Sequence, residues 1–134
     1  MYDLRMRALW LLPLLIACGG KPAPMPPKAP NTELIVGEFA RKPPDGTTAA
    51  RFRGDGSVTI AHEQKELDTK PLAEGTFKLD GDKLTLVYSK GEMCDAGVEG
   101  TYTVVISKIG IHFTKVDDAC ERRAKMDGQT WYRL

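Results

Sequence analysis

Apolar residues recur at alternate positions along most of the chain after residue 32, in short runs separated by turn-forming residues. Successive side chains of a strand point to opposite faces, so this spacing predicts strands that bury one face. Eight strands are predicted, at 33–41, 47–53, 57–63, 72–79, 83–89, 99–107, 111–116 and 129–134. The fold class expected for this part of the chain is therefore all-β.

The connections between the predicted strands are short and rich in turn residues. The segments PPDG (43–46), DG (55–56) and DGD (80–82) interrupt the alternating pattern. Short sequential connections favour antiparallel neighbours, and a long antiparallel meander closes into a barrel or a sandwich because closure removes exposed edges. The sequence predicts a small antiparallel barrel of eight strands.

One face of five of the predicted strands carries the candidates for the core. These are Ile35, Gly37, Phe39, Val58, Ile60, Gly75, Phe77, Leu79, Leu84, Leu86, Tyr88, Ile111 and Phe113. The aromatic members of this set are candidate ligand-binding residues: Phe39, Phe77, Tyr88 and Phe113. The alternative is that they fill the barrel, since eight short strands enclose room for their own side chains or for one small ligand.

A different pattern precedes the strands. Residues 8–17 are almost entirely apolar and follow two arginines. This stretch is short for a membrane span and has the length of the apolar region of an export signal. It ends in Leu-Ile-Ala-Cys at 15–18, which resembles the lipobox of bacterial lipoproteins. The resemblance implies a signal peptide at 1–17, cleavage before Cys18 and lipid attached to the Cys18 thiol.

The segment after the signal indicates how a lipid-anchored domain would be held. Residues 18–32 are rich in proline and are expected to form an extended tether. Gly19, rather than aspartate, follows the cysteine, and the Gram-negative sorting rule then implies the outer membrane. The alternative is an ordinary secretory signal with a cysteine at its end by chance. The expected organisation is signal peptide 1–17, lipidated tether 18–32 and barrel domain 33–134.

Charge and cysteine content narrow the classes of function. Of the 19 basic and 18 acidic residues, two basic and one acidic lie in the predicted signal, so the mature chain is formally neutral. A neutral chain does not favour a nucleic-acid partner. Cys94 and Cys120 are expected to form a disulfide in an oxidising compartment. A metal site is the alternative, but only His62 and His112 could add imidazole ligands.

Several segments together resemble the lipocalin-like, calycin-type barrels, and more closely a group of uncharacterised domains in bacterial secreted proteins and lipoproteins. These segments are GEF (37–39), GTFKLDGDKLTL (75–86), Cys94, GTY (100–102), DDACERR (117–123) and WYR (131–133). Phe39 stands where lipocalins carry the tryptophan of G-x-W. The resemblance implies the barrel and, by analogy alone, a small-ligand role. Arg122 or Arg123 would pack across an aromatic ring at the closed end, or be a solvated charge beside the disulfide.

The candidate chemistry favours binding over catalysis. The chain has neither G-x-S-x-G nor H-E-x-x-H, so we expect no enzyme, cofactor or metal. Trp131 could line a ligand-binding mouth or plug the core. The leading hypothesis is a membrane-anchored barrel that binds a small apolar or amphipathic ligand. The alternative is a cell-envelope interaction protein with a filled barrel. A sizeable apolar cavity favours the first, and a large exposed apolar patch favours the second.

Overall fold

The computed structural model describes residues 29–41 and 48–134. The predicted signal peptide, the lipidation site Cys18 and most of the predicted tether lie outside these ranges. Within them, no helix has the length and hydrophobicity needed to cross a membrane.

The described residues form a closed antiparallel barrel, as the alternating pattern predicts. Its eight strands are β1 (Gly37–Arg41), β2 (Thr48–Phe52), β3 (Ser57–Ala61), β4 (Ala73–Asp80), β5 (Lys83–Gly91), β6 (Glu99–Ile106), β7 (Gly110–Asp118) and β8 (Thr130–Arg133). Each strand pairs with the next, and β8 pairs with β1 to close the barrel. Three helical turns accompany the strands in the described ranges: α1 (Asn31–Leu34), a 3-10 turn (Gln64–Glu66) between β3 and β4, and α2 (Glu121–Ala124).

The predicted start of the first strand is wrong, because residues 31–34 form α1 and β1 begins only at Gly37. The Pro30 carbonyl accepts hydrogen bonds from the backbone N–H groups of Glu33 and Leu34, at 2.9 and 3.1 Å. The Asn31 side chain donates to the carbonyl of Gly81 in the β4–β5 turn, at 2.9 Å. The helical turn α1 thus lies at the end of the barrel that contains the β4–β5 turn. We call this end the closed end.

An arginine packs across an aromatic ring at the closed end, but it is Arg133 rather than either of the predicted arginines. Its guanidinium carbon lies 4.7 Å from the centre of the Phe39 ring. The same group donates to the carbonyls of Leu34 (2.7 Å) and Ser107 (3.1 Å). Gly37 adjoins it with a positive φ of 146°, and a Cβ there would lie 3.0 Å from Arg133 Nη1. Arg133 therefore ties α1 and β1 to the β6–β7 turn.

The inward faces of the strands form one continuous core. Most of the predicted core residues are buried, whereas Gly37, Gly75, Phe77 and Leu79 are half-buried. Phe52, Tyr102 and Ile106 are also buried, although the alternation did not single them out. Aromatic rings meet edge to face along this core, as do Phe52 and Phe77 with centres 5.2 Å apart. Such pairs add to the stabilisation from burial.

Candidate functional site

A cavity of about 400 Å³ opens at the end of the barrel opposite α1, which we call the open end. Its walls come from the ends of β1, β3 and β5, the starts of β2 and β8, and α2. The apolar side chains that line it are Ile60, Leu72, Tyr88, Met93, Met126 and Trp131. Small-molecule sites usually enclose about 300–1,000 Å³, so this cavity has the size of a site for one small ligand.

The polar lining of the cavity is largely basic. It includes the side chains Arg41, His62, Arg122, Arg123 and Lys125. Among the described residues that line the cavity there is no carboxylate. A concave surface lined by charges of one sign raises the local concentration of ligands of the opposite sign. The open end thus combines apolar walls with a positive rim.

The disulfide holds α2 beside this opening. Cys94 and Cys120 are bonded, with their Cα atoms 5.6 Å apart, which confirms the predicted pairing. Cys120 immediately precedes α2, and Cys94 lies in the loop between β5 and β6. Arg122 adds a second tie between the same segments, because its Nη1 donates to the carbonyl of Glu92 at 3.0 Å. The basic side chains of α2 are therefore fixed relative to the barrel.

Arg123, in the middle of α2, is fully buried and paired with Asp118 at the end of β7. Its Nε lies 2.7 Å from Asp118 Oδ2 and its Nη2 lies 2.9 Å from Oδ1, a two-bond geometry that suits guanidinium and carboxylate. Neither side chain is exposed. Nη2 also donates to the carbonyl of Val98 at 2.9 Å. Of the two predicted arginines, Arg123 is thus part of the core and Arg122 is exposed.

The strand register creates the room for this ion pair. Gly100 of β6 lies directly opposite Asp118 of β7. A Cβ on Gly100 would lie under 3.0 Å from both Asp118 and Arg123, closer than real side chains approach. The Tyr102 hydroxyl donates to Asp118 Oδ2 at 2.5 Å, and the backbone N–H of Cys120 donates to Oδ1 at 2.9 Å. Asp118 is therefore enclosed by donors.

One nitrogen of this network has no partner. Among the described residues, no group forms a hydrogen bond with Arg123 Nη1, although the atom is buried. The guanidinium carbon lies 4.8 Å from the centre of the Tyr88 ring, and both side chains line the cavity. Burial raises the pKa of the Tyr88 hydroxyl, so the tyrosine stays neutral and its ring faces a permanent cation. The site thus holds a fixed guanidinium with spare donor capacity.

The enclosure of Asp118 makes the stability of the fold depend on pH. Burial raises the pKa of Asp118, but hydrogen bonds from Arg123 and Tyr102 outweigh it and hold the pKa below its ordinary value. The stabilisation is then complete above the unfolded pKa of about 4 and is lost as the pH falls through the lower folded value.

Urea unfolding of the full chain should therefore show stability falling as the pH drops below about 4. Asp118→Asn removes the carboxylate and should flatten part of this dependence. The remainder belongs to other carboxylates such as Glu38, whose pKa is lowered by hydrogen bonds from Gln64 and Arg51. Identical pH dependence in the two proteins would contradict the role given to Asp118.

The structure separates the four predicted ligand-binding aromatics. Only Tyr88 lines the cavity, whereas Phe39, Phe77 and Phe113 pack against other rings in the core. Trp131 was predicted either to plug the core or to line a ligand-binding mouth. It is only 3% exposed and also lines the cavity, so it belongs to both.

The two histidines, which were considered as metal ligands, also lie in different places. His62 lines the cavity and is exposed, whereas His112 lies on the outer face, with its Nδ1 2.8 Å from Thr130 Oγ1. Arg123, one of the two arginines predicted to pack across an aromatic ring, does so at Tyr88, but at the open end and not at the closed end. The sequence did not indicate its ion pair with Asp118.

Within the described ranges, no group of three or more histidine, cysteine, aspartate or glutamate side chains is placed to hold a metal ion. No protein-family model, curated protein or solved structure matches the chain.

Proposed function

We propose that this chain is a membrane-anchored lipoprotein whose barrel binds a small amphipathic molecule in the cavity at the open end. The observation that carries the proposal is a cavity of about 400 Å³ at one end of a barrel whose other end is closed by α1 and Arg133. Because the other end is closed, a ligand would enter the barrel only from the open end.

The lining of the cavity favours an amphipathic ligand over a purely apolar one. Trp131, Met126 and Ile60 are buried residues that also line the cavity, so they offer a ligand an apolar surface. Lys125 and Arg122 are exposed and line it as well, so they would meet a polar group at the entrance. A ligand with an apolar body and a polar head matches both parts of the lining.

Anchoring through Cys18 would hold this cavity at a membrane, at the end of the proline-rich tether. Cys18→Ala is expected to abolish lipidation, since no other thiol lies at the lipobox. The variant should then move from the detergent phase to the aqueous phase in a partitioning experiment. Met25→Ala, which changes the tether and leaves the lipobox intact, should still partition into detergent. Unchanged partitioning of Cys18→Ala would contradict the anchor.

The second candidate is a protein-binding role for the outer surface. Exposed apolar side chains lie near the closed end, including Val36, Ile109 and Leu134. They sit where β1 and β8 meet the β6–β7 turn, because the Arg133 N–H donates to the Ile109 carbonyl and the Leu134 N–H donates to the Glu38 carbonyl. Apolar surface of this kind can mark a protein interface.

Tryptophan fluorescence tests the ligand-binding proposal without a label. The chain has two tryptophans, Trp10 and Trp131, and Trp10 lies in the predicted signal peptide. Trp131 is then the sole tryptophan of the mature protein, and it lines the cavity. Titration with the eight-carbon amphiphiles octanoate and octanol should give a saturable change in emission for at least one of them.

A pair of matched variants locates the binding. Leu72→Phe enlarges a side chain that lines the cavity and should weaken binding. Val105→Phe makes a comparable change on the exposed outer face and should leave binding unchanged. Emission that responds to no amphiphile would contradict the proposal and favour the protein-binding role.

A further inference from the structure

Arg123, one of the side chains that line the cavity, carries a buried donor without a hydrogen-bond partner among the described residues. Arg123 is 0% exposed, and its Nε and Nη2 are bound to Asp118 and to the Val98 carbonyl. Its Nη1 has no hydrogen-bond partner among the described residues. About nine in ten buried polar groups or more are hydrogen-bonded in folded proteins. A buried guanidinium N–H that lacks a protein acceptor, on a side chain that lines a cavity, indicates an acceptor supplied by a ligand.

The charges around the cavity indicate the sign of that acceptor. Asp118 balances the charge of Arg123, and it binds the Nε and Nη2 side of the guanidinium. Arg122 and Lys125 add two cations at the exposed edge of α2, and neither forms an ion pair within the described part of the chain. With no carboxylate in the described lining, an anion would enter a site of net positive charge.

We infer that the cavity selects amphiphiles whose head is an anionic oxyacid, a carboxylate or a phosphate, and that Arg123 Nη1 donates to that head. This inference rests on the proposed ligand-binding function and names its ligand class. A guanidinium donates well to carboxylate and phosphate oxygens, and such charge-assisted bonds are stronger than neutral ones. The apolar body of the ligand would lie against Tyr88, Trp131 and Met126, which line the same cavity.

Four probes that share an eight-carbon chain separate head-group recognition from tail recognition. They are octanoate, octyl phosphate, octanol and octyltrimethylammonium, titrated against Trp131 emission of the mature protein. A hydrogen bond to a charged group corresponds to a factor of about ten to a hundred in affinity. Octanoate or octyl phosphate should therefore bind about ten to a hundred times more tightly than octanol. The cationic probe should bind most weakly.

The donor itself is observed by nitrogen-15 NMR of the protein without any substitution, because Arg123 variants disturb the core. The guanidinium resonances of Arg123 should shift on addition of the anionic probe and should not shift on addition of octanol. The double substitution Arg122→Gln with Lys125→Gln should weaken octanoate binding about three- to tenfold by removing rim charge. Lys78→Gln with Lys83→Gln, on the strands near the closed end, is the matched control and should change nothing.

The results of these titrations distinguish a failure of the head-group assignment from a failure of the proposed ligand-binding function. If no probe changes Trp131 emission, the ligand-binding function fails and this inference fails with it. If octanol binds as tightly as both anions, or if Arg123 does not respond, the cavity binds ligands but the head-group assignment is wrong. If inorganic phosphate binds as tightly as octyl phosphate, the apolar tail contributes nothing to affinity, and the assignment of an amphiphilic ligand is wrong. A preference between octanoate and octyl phosphate supports the inference and identifies the head.

Discussion

Asp118→Ala is expected to lower the free energy of unfolding by about 3–5 kcal/mol, because it leaves the Arg123 guanidinium buried without its counter-charge. The Tyr102 hydroxyl and the Cys120 backbone N–H lose their acceptor at the same time. Urea unfolding of the full chain at neutral pH measures the loss, and a midpoint that falls with unchanged slope assigns it to stability.

Two comparisons isolate the buried pair. Arg51→Ala breaks ion pairs with Glu38 and Asp68, both of which are partly exposed, and it should lower stability by only a small fraction of the Asp118 effect. Replacing both partners, Asp118→Ala with Arg123→Met, should lose less stability than the two single losses added together, because neither charge is left unpaired. Fully additive losses, or an Asp118→Ala variant as stable as the parent, would contradict the buried network.

Removal of the disulfide is expected to have the second-largest effect. Cys94 and Cys120 are 26 residues apart in sequence, and closing a loop of that length is worth about 3–4 kcal/mol on the chain-entropy model. The double variant Cys94→Ser with Cys120→Ser should lose about that much stability in urea unfolding. Because the bond holds the start of α2, amide exchange in residues 119–126 should also accelerate more than exchange in the closed end.

The control for this variant is Cys18→Ser, which removes a cysteine that closes no loop and should leave the unfolding curve of the barrel unchanged. Treatment of the parent protein with a reductant should reproduce the loss seen in the double variant. A double variant with the stability of the parent, or peptide mapping that finds Cys94 and Cys120 as free thiols in exported protein, would contradict the role of the disulfide.

The barrel could be predicted because the sequence patterns that specify it are local. Alternation in each run, such as Leu84, Leu86 and Tyr88, marks one buried face, and short turns set antiparallel neighbours. The start of β1 could not be predicted in the same way. Four residues form only one helical turn, so α1 has no periodicity that distinguishes it from an extended segment.

The candidate site was less predictable because its parts come from distant segments. Arg123 lies between other charged residues in the sequence ERRAK and has the local pattern of a solvated residue. Its burial depends on the register that sets Gly100 opposite Asp118, which no local pattern encodes. The cavity is assembled from strand ends and loops across the chain, so the sequence led to the hypothesis of a ligand-binding barrel and could not place its opening. Tyr88 was predicted from alternation alone, and it lies at the point where core and cavity meet.

Native mass spectrometry would show whether the barrel carries a small amphipathic molecule at its open end. Residues 18–134 with Cys18→Ala would be exported behind an ordinary, cleavable secretory signal, so that the protein carries no lipid, and would be purified without detergent. We expect a reproducible adduct that disappears on denaturation and is reduced by Leu72→Phe but not by Val105→Phe. A spectrum that shows only the bare oxidised chain, with no adduct even after incubation with octanoate, octyl phosphate or octanol, would contradict it.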